Sequence, residues 1–483
     1  MTMKPQALAI LDIGKTNVKL SLLDQQGKTL AEQRTPNTIV TAELYPHHDT
    51  ERIWNWLLAN LRAMSETAEI TALVPVTHGA TAALVDDTGL VLPVLDYEFE
   101  LPAAQVQDYL KLRPAFDESH SPELPAGLNL GRQLYWLAQA CPEQFQRARH
   151  ILTYPQYWTW RLCGVAASEV TSLGCHTDLW RPHQRDYSSL VKQMGWDALF
   201  PPIRPAWSAL GAVRADVAAQ AGLPQDCQVL CGIHDSNASL WRYLGAVDVQ
   251  VPGAVLSTGT WVIAASFETP LSQLHESLDM LANVDVAGRP VASTRFMGGR
   301  EFAHLAGPDF EPCTREDLER LVAQATMALP SFAESGGPFS GRAGEVVGPA
   351  PRNAAERYAL ATLYCVLMSD YCLSALGSSG TVIVEGSFAA NPFFAPLLAA
   401  LRGQPVQCSD DASGTTCGAW LLRYRDACPA RDSRDAIALE LPGFGGYRTQ
   451  WREASAMAAP ACRQDRSAAP GSPTPGPSPK RPH

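Results

Sequence analysis

An α/β protein built from two related domains around a central cleft is the fold class this sequence predicts. Three observations predict it. A chain of 483 residues is longer than one hydrophobic core ordinarily organises. Short apolar runs of strand length alternate with longer stretches of helical periodicity. A strand-turn-strand unit close to the N-terminus has a counterpart near the midpoint.

The first unit occupies residues 8–24. Residues 8–11 and 18–23 are apolar runs suited to buried strands, and Gly14 between them permits a tight turn. The turn collects groups that can hold phosphate: Thr16 and Asn17 offer side-chain donors, Lys15 and Lys19 add positive charge, and exposed N–H groups can cup an anion. Asp12 stands where Mg²⁺ or its waters could be held. An ordinary hairpin with a polar turn explains the same residues. A P-loop does not, because Ala9 stands where that motif needs glycine and the residues after Thr16 read as a strand rather than a helix.

Composition narrows the function classes. A formal net charge of −11 argues against nucleic acid or an anionic membrane as the main partner, while 46% hydrophobic and 18% charged residues are ordinary for a globular protein. No uninterrupted apolar run has the length of a membrane span, and the N-terminus lacks a signal pattern, so the expected location is cytoplasmic. Twelve cysteines without a C-x-x-C pair read as buried thiols rather than a zinc site.

Along the chain, Ile53, Trp54, Leu57, Leu58 and Leu61 form the stripe of an amphipathic helix over residues 50–64. The strand 70–76 ends at Thr77, His78 and Gly79, a place where open sheets bind ligands. His78 is a substrate candidate, or a histidine satisfied within the fold. A hairpin over 82–94 leads to Asp96, Tyr97 and Glu98, which suit sugar hydroxyls or simple solvation. Residues 128–164 read largely as helices, and 205–213 as a connection with a strand. A strand beginning at Val229 then runs to Asp235 at the start of a helix. Asp235 reads as a general base at the mouth of the cleft, with a helix N-cap as the alternative.

The first pattern returns over residues 254–266, two apolar strands around Ser257, Thr258, Gly259 and Thr260. Two such turns are what a duplicated domain closing on polyphosphate would show, the arrangement of the actin and sugar-kinase type. Farther on, a long helix over 356–376 precedes a strand that runs into Gly386 and Ser387. Asn391 and Pro392 have the cap and first-turn signature of a helix start. Gly414, Gly418 and Ala419 would let a flat base lie near the backbone, or let two helices pack closely. The Pro-, Gly- and Ser-rich end of the chain reads as disordered.

Taken in order, these motifs resemble the FGGY carbohydrate kinases over nearly the whole chain. Asp12, Gly14, Thr16, Asn17 and Lys19 resemble the first phosphate motif, with Lys15 where many members have threonine. His234, Asp235 and Ser236 resemble the catalytic-aspartate motif, and Ser257 to Trp261 the second phosphate motif. Gly386, Ser387 and Asn391 resemble the adenosine motif. The resemblance implies two ribonuclease-H-like domains: residues 1–246 binding sugar, residues 247–455 binding ATP, and a tail over 456–483. It implies Asp235 as catalytic base. Gly14, Thr16, Asn17, Lys19, Thr258, Gly259, Thr260, Gly386, Ser387 and Asn391 would contact ATP, with Asp12 toward Mg²⁺. Thr77, His78, Gly79, Asp96, Glu98 and Asp235 would contact sugar. The implied activity is ATP-dependent phosphorylation of a small sugar. The implied substrate is a ketose of the L-rhamnulose, L-fuculose or xylulose type, the surroundings of Asp235 being more like those of rhamnulose and fuculose kinases than those of xylulose kinases, with a glycerol-like polyol kinase or a non-catalytic sugar or nucleotide sensor as alternatives. Partners are then the small sugar and ATP, with no nucleic acid or membrane and with a homodimer left open.

Overall fold

The computed structural model describes residues 4–244, 251–309, 311–409, 414–427 and 433–457. The expected boundary at 246/247 and residues 458–483 of the expected tail lie outside them. Residues 456 and 457 close the helix Phe444–Met457 instead of opening a tail.

Two mixed sheets carry the chain, and their strand orders correspond. In the first, Gln6–Ile13 pairs antiparallel with Asn17–Asp24, which pairs with Thr29–Pro36. On its other side Gln6–Ile13 runs parallel to Glu69–Thr77, followed by Gln228–Leu230 and Ala209–Ala212. In the second, Ala254–Thr258 pairs antiparallel with Val262–Ser266, which pairs with Pro290–Phe296. On its other side Ala254–Thr258 runs parallel to Val382–Gly386, followed by Val406–Ser409. The same antiparallel hairpin beside the same parallel crossover, twice in one chain, is the duplication that the two turns predicted.

Each sheet is covered on both faces, which is why its central strands are apolar throughout instead of alternating. Ala7, Ala9 and Leu11 face the helix Thr50–Ser65, which buries Ile53, Leu57 and Leu61. Leu8, Ile10 and Val74 face the opposite way, toward Ala238 and Leu421. Those two residues belong to the helices Asp235–Leu244 and Gly414–Arg423, which cross between the sheets. The first of these helices also packs Leu240 and Tyr243 on Val255 and Ile383 of the second sheet. Their crossing requires glycine: a Cβ on Gly418 would stand 1.6 Å from the carbonyl oxygen of Ala238. Close packing is therefore the role of Gly418, one of the two readings its sequence allowed.

The helix Ala354–Ala375 is long and apolar enough to cross a membrane, but 78% of its apolar window is buried. Leu363, Val366 and Leu367 sit in the core of the second half. Two local expectations are corrected. His150–Thr153 is a strand paired with Ala82–Asp86, and the helix begins only at Tyr154 with Pro155 in its first turn. Asn391 does not cap a helix that starts at Pro392. A 3-10 turn occupies Ser387–Ala390, and the helix runs Phe394–Arg402.

Candidate active site

Sheet register brings the site together. Asp12 lies opposite Val76 and Ile13 opposite Thr77. The short strand Ile233–His234 continues the row, with Ile233 opposite Val76 and His234 opposite Thr77. Three strands thus end at one level, setting Asp12, His78 and Asp235 along one edge. Gly79 allows two of these ends to touch, since a Cβ there would stand 2.9 Å from His234 Nε2.

Asp235 opens the helix Asp235–Leu244 but does not cap it in the usual way. Its Oδ1 accepts from the N–H of the adjacent Ser236 at 2.6 Å, not from an N–H two or three residues onward. The same oxygen lies 3.2 Å from His234 Nε2, and the side chain is 30% exposed. Asn237 Nδ2 donates to His234 Nδ1 at 3.0 Å, which leaves the ring proton on Nε2, toward Asp235. Burial pushes the His234 pKa down to about 4, so the ring is neutral at physiological pH. Burial raises the Asp235 carboxyl above its ordinary range, with His78 opposing. A carboxylate moved toward neutrality is a better proton acceptor than a free aspartate.

Behind this turn, His234 N donates to Thr171 Oγ1 at 3.1 Å, and Thr171 Oγ1 donates to Glu169 Oε2 at 2.5 Å. Glu169 is fully buried, and burial pushes its pKa up to about 7. Glu169 and Thr171 hold the backbone from which the base projects.

The expected substrate residues divide. Thr77 is buried and donates to the carbonyl oxygen of His78 at 2.9 Å, so its role is internal. His78 Nδ1 is 3.0 Å from the carbonyl oxygen of Gly79, and Nε2 is buried with no protein partner among the described residues. Burial lowers the His78 pKa. Its ring packs against His48, Tyr97 and Tyr154 at centroid distances of 5.2, 5.4 and 5.3 Å. Asp96 and Glu98 meet Lys15 from the first turn. The ammonium pairs with Asp96, lies 3.2 Å from Glu98, and sits 4.6 Å from the centre of the Tyr97 ring. Lys15, by sequence a phosphate-turn residue, is by geometry part of the Asp96–Glu98 cluster.

The expected phosphate residues also divide. Both turn glycines use their N–H groups to close the turn, Gly14 to Asn17 O and Gly259 to Trp261 O, each at 2.9 Å. Thr16, Asn17 and Thr260 remain exposed. Lys19 Nζ lies 3.3 Å from Asp12 Oδ2 and donates to Thr416 Oγ1 at 2.8 Å, on the helix Gly414–Arg423. Asp12 is pushed up by burial, opposed by Lys19, and pushed further by Asp235. Two neighbouring carboxylates, one of them poorly solvated, fit a divalent cation held through Asp12 and water. Among the described residues no cluster of three or more metal-ligating side chains occurs.

Three expected ATP contacts are engaged within the fold. Thr258 is buried, donates to the carbonyl oxygen of Glu385 at 2.5 Å and accepts from Phe388 N at 2.9 Å. Gly386 has φ of +83°, and a Cβ would stand 2.0 Å from Thr258 O, so it permits the two strands to abut. Asn391 is buried, donating to Thr362 Oγ1 at 3.0 Å. Ser387 Oγ is 3.4 Å from Thr258 O. Thr258, Gly386 and Asn391 shape the second turn, and Thr260 is its exposed hydroxyl.

Sequence reading missed Glu385. Buried beside the second turn, it pairs with Arg242 and accepts from Ser239 Oγ at 3.2 Å and Tyr243 OH at 2.9 Å. All three partners lie on the helix that begins with Asp235. Their spacing of three and four residues places them on one face of the helix, a pattern visible in the sequence only once the partner strand is known.

Two sheets of matching topology, a helix pair crossing between them and a carboxylate at the crossing define the duplicated ribonuclease-H-like class. Comparison with known proteins narrows this. Residues 119–241 match the N-terminal domain of the FGGY family of carbohydrate kinases, and residues 250–432 match the carbohydrate kinase FGGY C-terminal domain. A carbohydrate kinase from Novosphingobium aromaticivorans is 37% identical, with a TM-score of 0.87 over 92% of this chain and 100% of that one. The chain belongs to the FGGY family of carbohydrate kinases. An L-fuculokinase of Salmonella typhi is 29% identical over 272 residues, covering 54% of this chain and 56% of that protein. The chain thus matches about half the length of that curated relative. A xylulose kinase from Rhodospirillum rubrum shares the fold at 16% identity, with a TM-score of 0.78 over 93% of this chain and 97% of that one.

Proposed function

We propose that this chain transfers the γ-phosphoryl group of ATP to a hydroxyl of a small neutral sugar, a ketose of the L-fuculose, L-rhamnulose or xylulose type. The observation that carries this reading is the place of Asp235. It heads the helix that crosses between the two sheets, level with Asp12 and His78, with the exposed turn residues of the first sheet beside it.

Asp235 accepts the proton of the attacking hydroxyl while the neutral His234 N–H fixes the carboxylate orientation. Lys19 and the hydroxyls of Thr16 and Thr260 face the phosphates, where their donors offset charge on the transferring group. Mg²⁺, held through Asp12, would neutralise phosphate charge. The division at 246/247, with sugar mainly on the first half and ATP mainly on the second, belongs to the same reading.

A neutral sugar follows from charge. Asp12, Asp96, Glu98 and Asp235 outnumber Lys15 and Lys19 along this edge, and a substrate with its own carboxylate would add to the excess. The resemblance to L-fuculokinases supports a ketose over glycerol. The test is ADP release with ATP and Mg²⁺ against a panel of ketoses, aldoses and polyols. Sugar-dependent release with a ketose supports the reading, and release only with glycerol replaces it by the polyol kinase. Sugar or nucleotide binding without turnover identifies a sensor.

A further inference from the structure

The face of the second sheet that looks toward Asp235 carries Ser257, Asn283, Ser293 and Arg295 among apolar residues such as Val255, Ile263 and Ala265, where a covered sheet face is ordinarily apolar throughout. Across the strands, Ser257 lies opposite Ile263 and Ile263 opposite Arg295, while Ala265 lies opposite Ser293. Asn283 shares this face, on the neighbouring strand Met280–Val284. On the other face of these strands, Leu256, Ala264, Ala282 and Ala292 enter the main core. The face toward Asp235 and the loop bearing Cys175 and His176 enclose a cavity of about 130 Å³ that also reaches His234 and Ser236, the residues on either side of Asp235.

Two details separate this cavity from a packing gap. Asn283 Nδ2 is 3.4 Å from Ser293 Oγ, but its Oδ1 is buried without a hydrogen-bond partner among the described residues. A buried acceptor in that state is costly unless a ligand or water supplies the donor. Arg295, only 8% exposed, is held rigid: Nε donates to Asp279 Oδ2 at 3.1 Å, and the guanidinium lies 4.6 Å from the centre of the Trp261 ring. Asp279 in turn accepts from Gly337 N at 2.8 Å. A planar cation fixed in this way is suited to reading hydroxyl positions.

We propose that this cavity receives the part of the sugar remote from the reacting hydroxyl, and that Asn283 and Arg295 determine which sugar is accepted. The proposal rests on the phosphotransfer reading and adds to it that the second half, expected to bind ATP, also selects the sugar. A distal hydroxyl donates to Asn283 Oδ1 and accepts from Arg295. A sugar that lacks a hydroxyl at the position facing Asn283 leaves that acceptor unpaired, the situation in which polar sites discriminate strongly.

The experiment compares the wild-type protein with Asn283→Ala and Arg295→Gln in sugar-dependent ADP release. Pairs of ketoses differing only in the presence or configuration of one hydroxyl remote from the reacting end are the probes. The expected result for either variant is a fall of about tenfold or more in kcat/KM for the preferred sugar, carried by KM, with KM for ATP within about twofold. The preference within each sugar pair should shrink by a similar factor. Arg295→Gln also removes the partner of Asp279, so if it does not fold, Asn283→Ala and Ser293→Ala decide. Unchanged sugar KM and unchanged preference in folded variants would overturn the proposal and leave the cavity a water-filled gap. A wild-type protein with no sugar-dependent release from any member of the panel would instead overturn the phosphotransfer reading itself.

Discussion

Lys19 Nζ donates to Thr416 Oγ1 at 2.8 Å, joining the first hairpin to a helix nearly 400 positions later in the chain. The same ammonium is 3.3 Å from Asp12, so it stands among the candidate metal residue, the first turn and the second half. We expect Lys19→Met to lower kcat/KM for ATP by about 10²-fold, with sugar affinity measured without nucleotide largely unchanged. Paired with Thr260→Ala, the change should be non-additive by about 0.5–3 kcal/mol if both residues face the same phosphates. A double-mutant cycle measures this. Strict additivity with unaltered ATP kinetics would assign both turns a purely structural role.

Lys15 should behave differently despite its place four residues earlier. Its contacts are with Asp96, Glu98 and Tyr97. Lys15→Met is expected to raise KM for sugar by about tenfold while KM for ATP stays within about twofold. The opposite pattern, a raised KM for ATP with sugar KM intact, would return Lys15 to the phosphate turn.

The crossing of the helices Asp235–Leu244 and Gly414–Arg423 tolerates no side chain at Gly418. Gly418→Ala should destabilise the protein by about 1–3 kcal/mol or more, because the backbone of Ala238 must move. Gly445→Ala is the control: nothing lies within 4 Å of a Cβ at that helical position, so a gain of about 0.5–1 kcal/mol is expected. Chemical denaturation of the two variants should therefore move in opposite directions. A Gly418→Ala protein as stable as the wild type would show that the helices do not approach so closely.

Glu169 links stability to pH. Its carboxyl rises from 4.5 in the unfolded chain to about 7 in the folded one. The folded state therefore holds a proton that the unfolded state releases between those values. The stability contributed by Glu169 is fully present below about pH 4.5 and is lost as pH rises through about 7. The loss is at most about 1.4 kcal/mol per pH unit. Glu169→Gln removes this dependence. Its Tm relative to wild type should rise as pH increases from 5 to 8, and a constant difference would mean that Glu169 is already ionised at the lower pH.

What the sequence made legible was local. The two hairpins were readable because short apolar runs around Gly14 and Gly259 leave few other folds, and the helix stripe at Ile53, Leu57 and Leu61 because its period is unmistakable. Asp235 stood out as a carboxylate at a strand-to-helix junction. The strand His150–Thr153 was not legible, since four apolar-rich residues ahead of Tyr154 suit either element. Asn391 and Pro392 carry a helix-start signature that the turn Ser387–Ala390 displaced. Partners distant in sequence were invisible. Nothing local signals that Glu385 meets Arg242, that Lys15 turns toward Asp96, or that Thr258 is buried. The alternation of Ser293 and Arg295 within one strand was the single hint of polar groups on the inner face.

The role of Asp235 is tested most directly by Asp235→Asn. Asparagine keeps the size of the side chain and its ability to accept from Ser236 N, but it cannot take a proton. Sugar-dependent ADP release should fall by about 10²–10⁴-fold, with the melting transition and ATP binding retained. In the wild type, kcat/KM should decrease as pH falls through the raised Asp235 pKa, because the base must be ionised to act. A folded Asp235→Asn protein turning over within about tenfold of wild type would contradict general-base catalysis by Asp235.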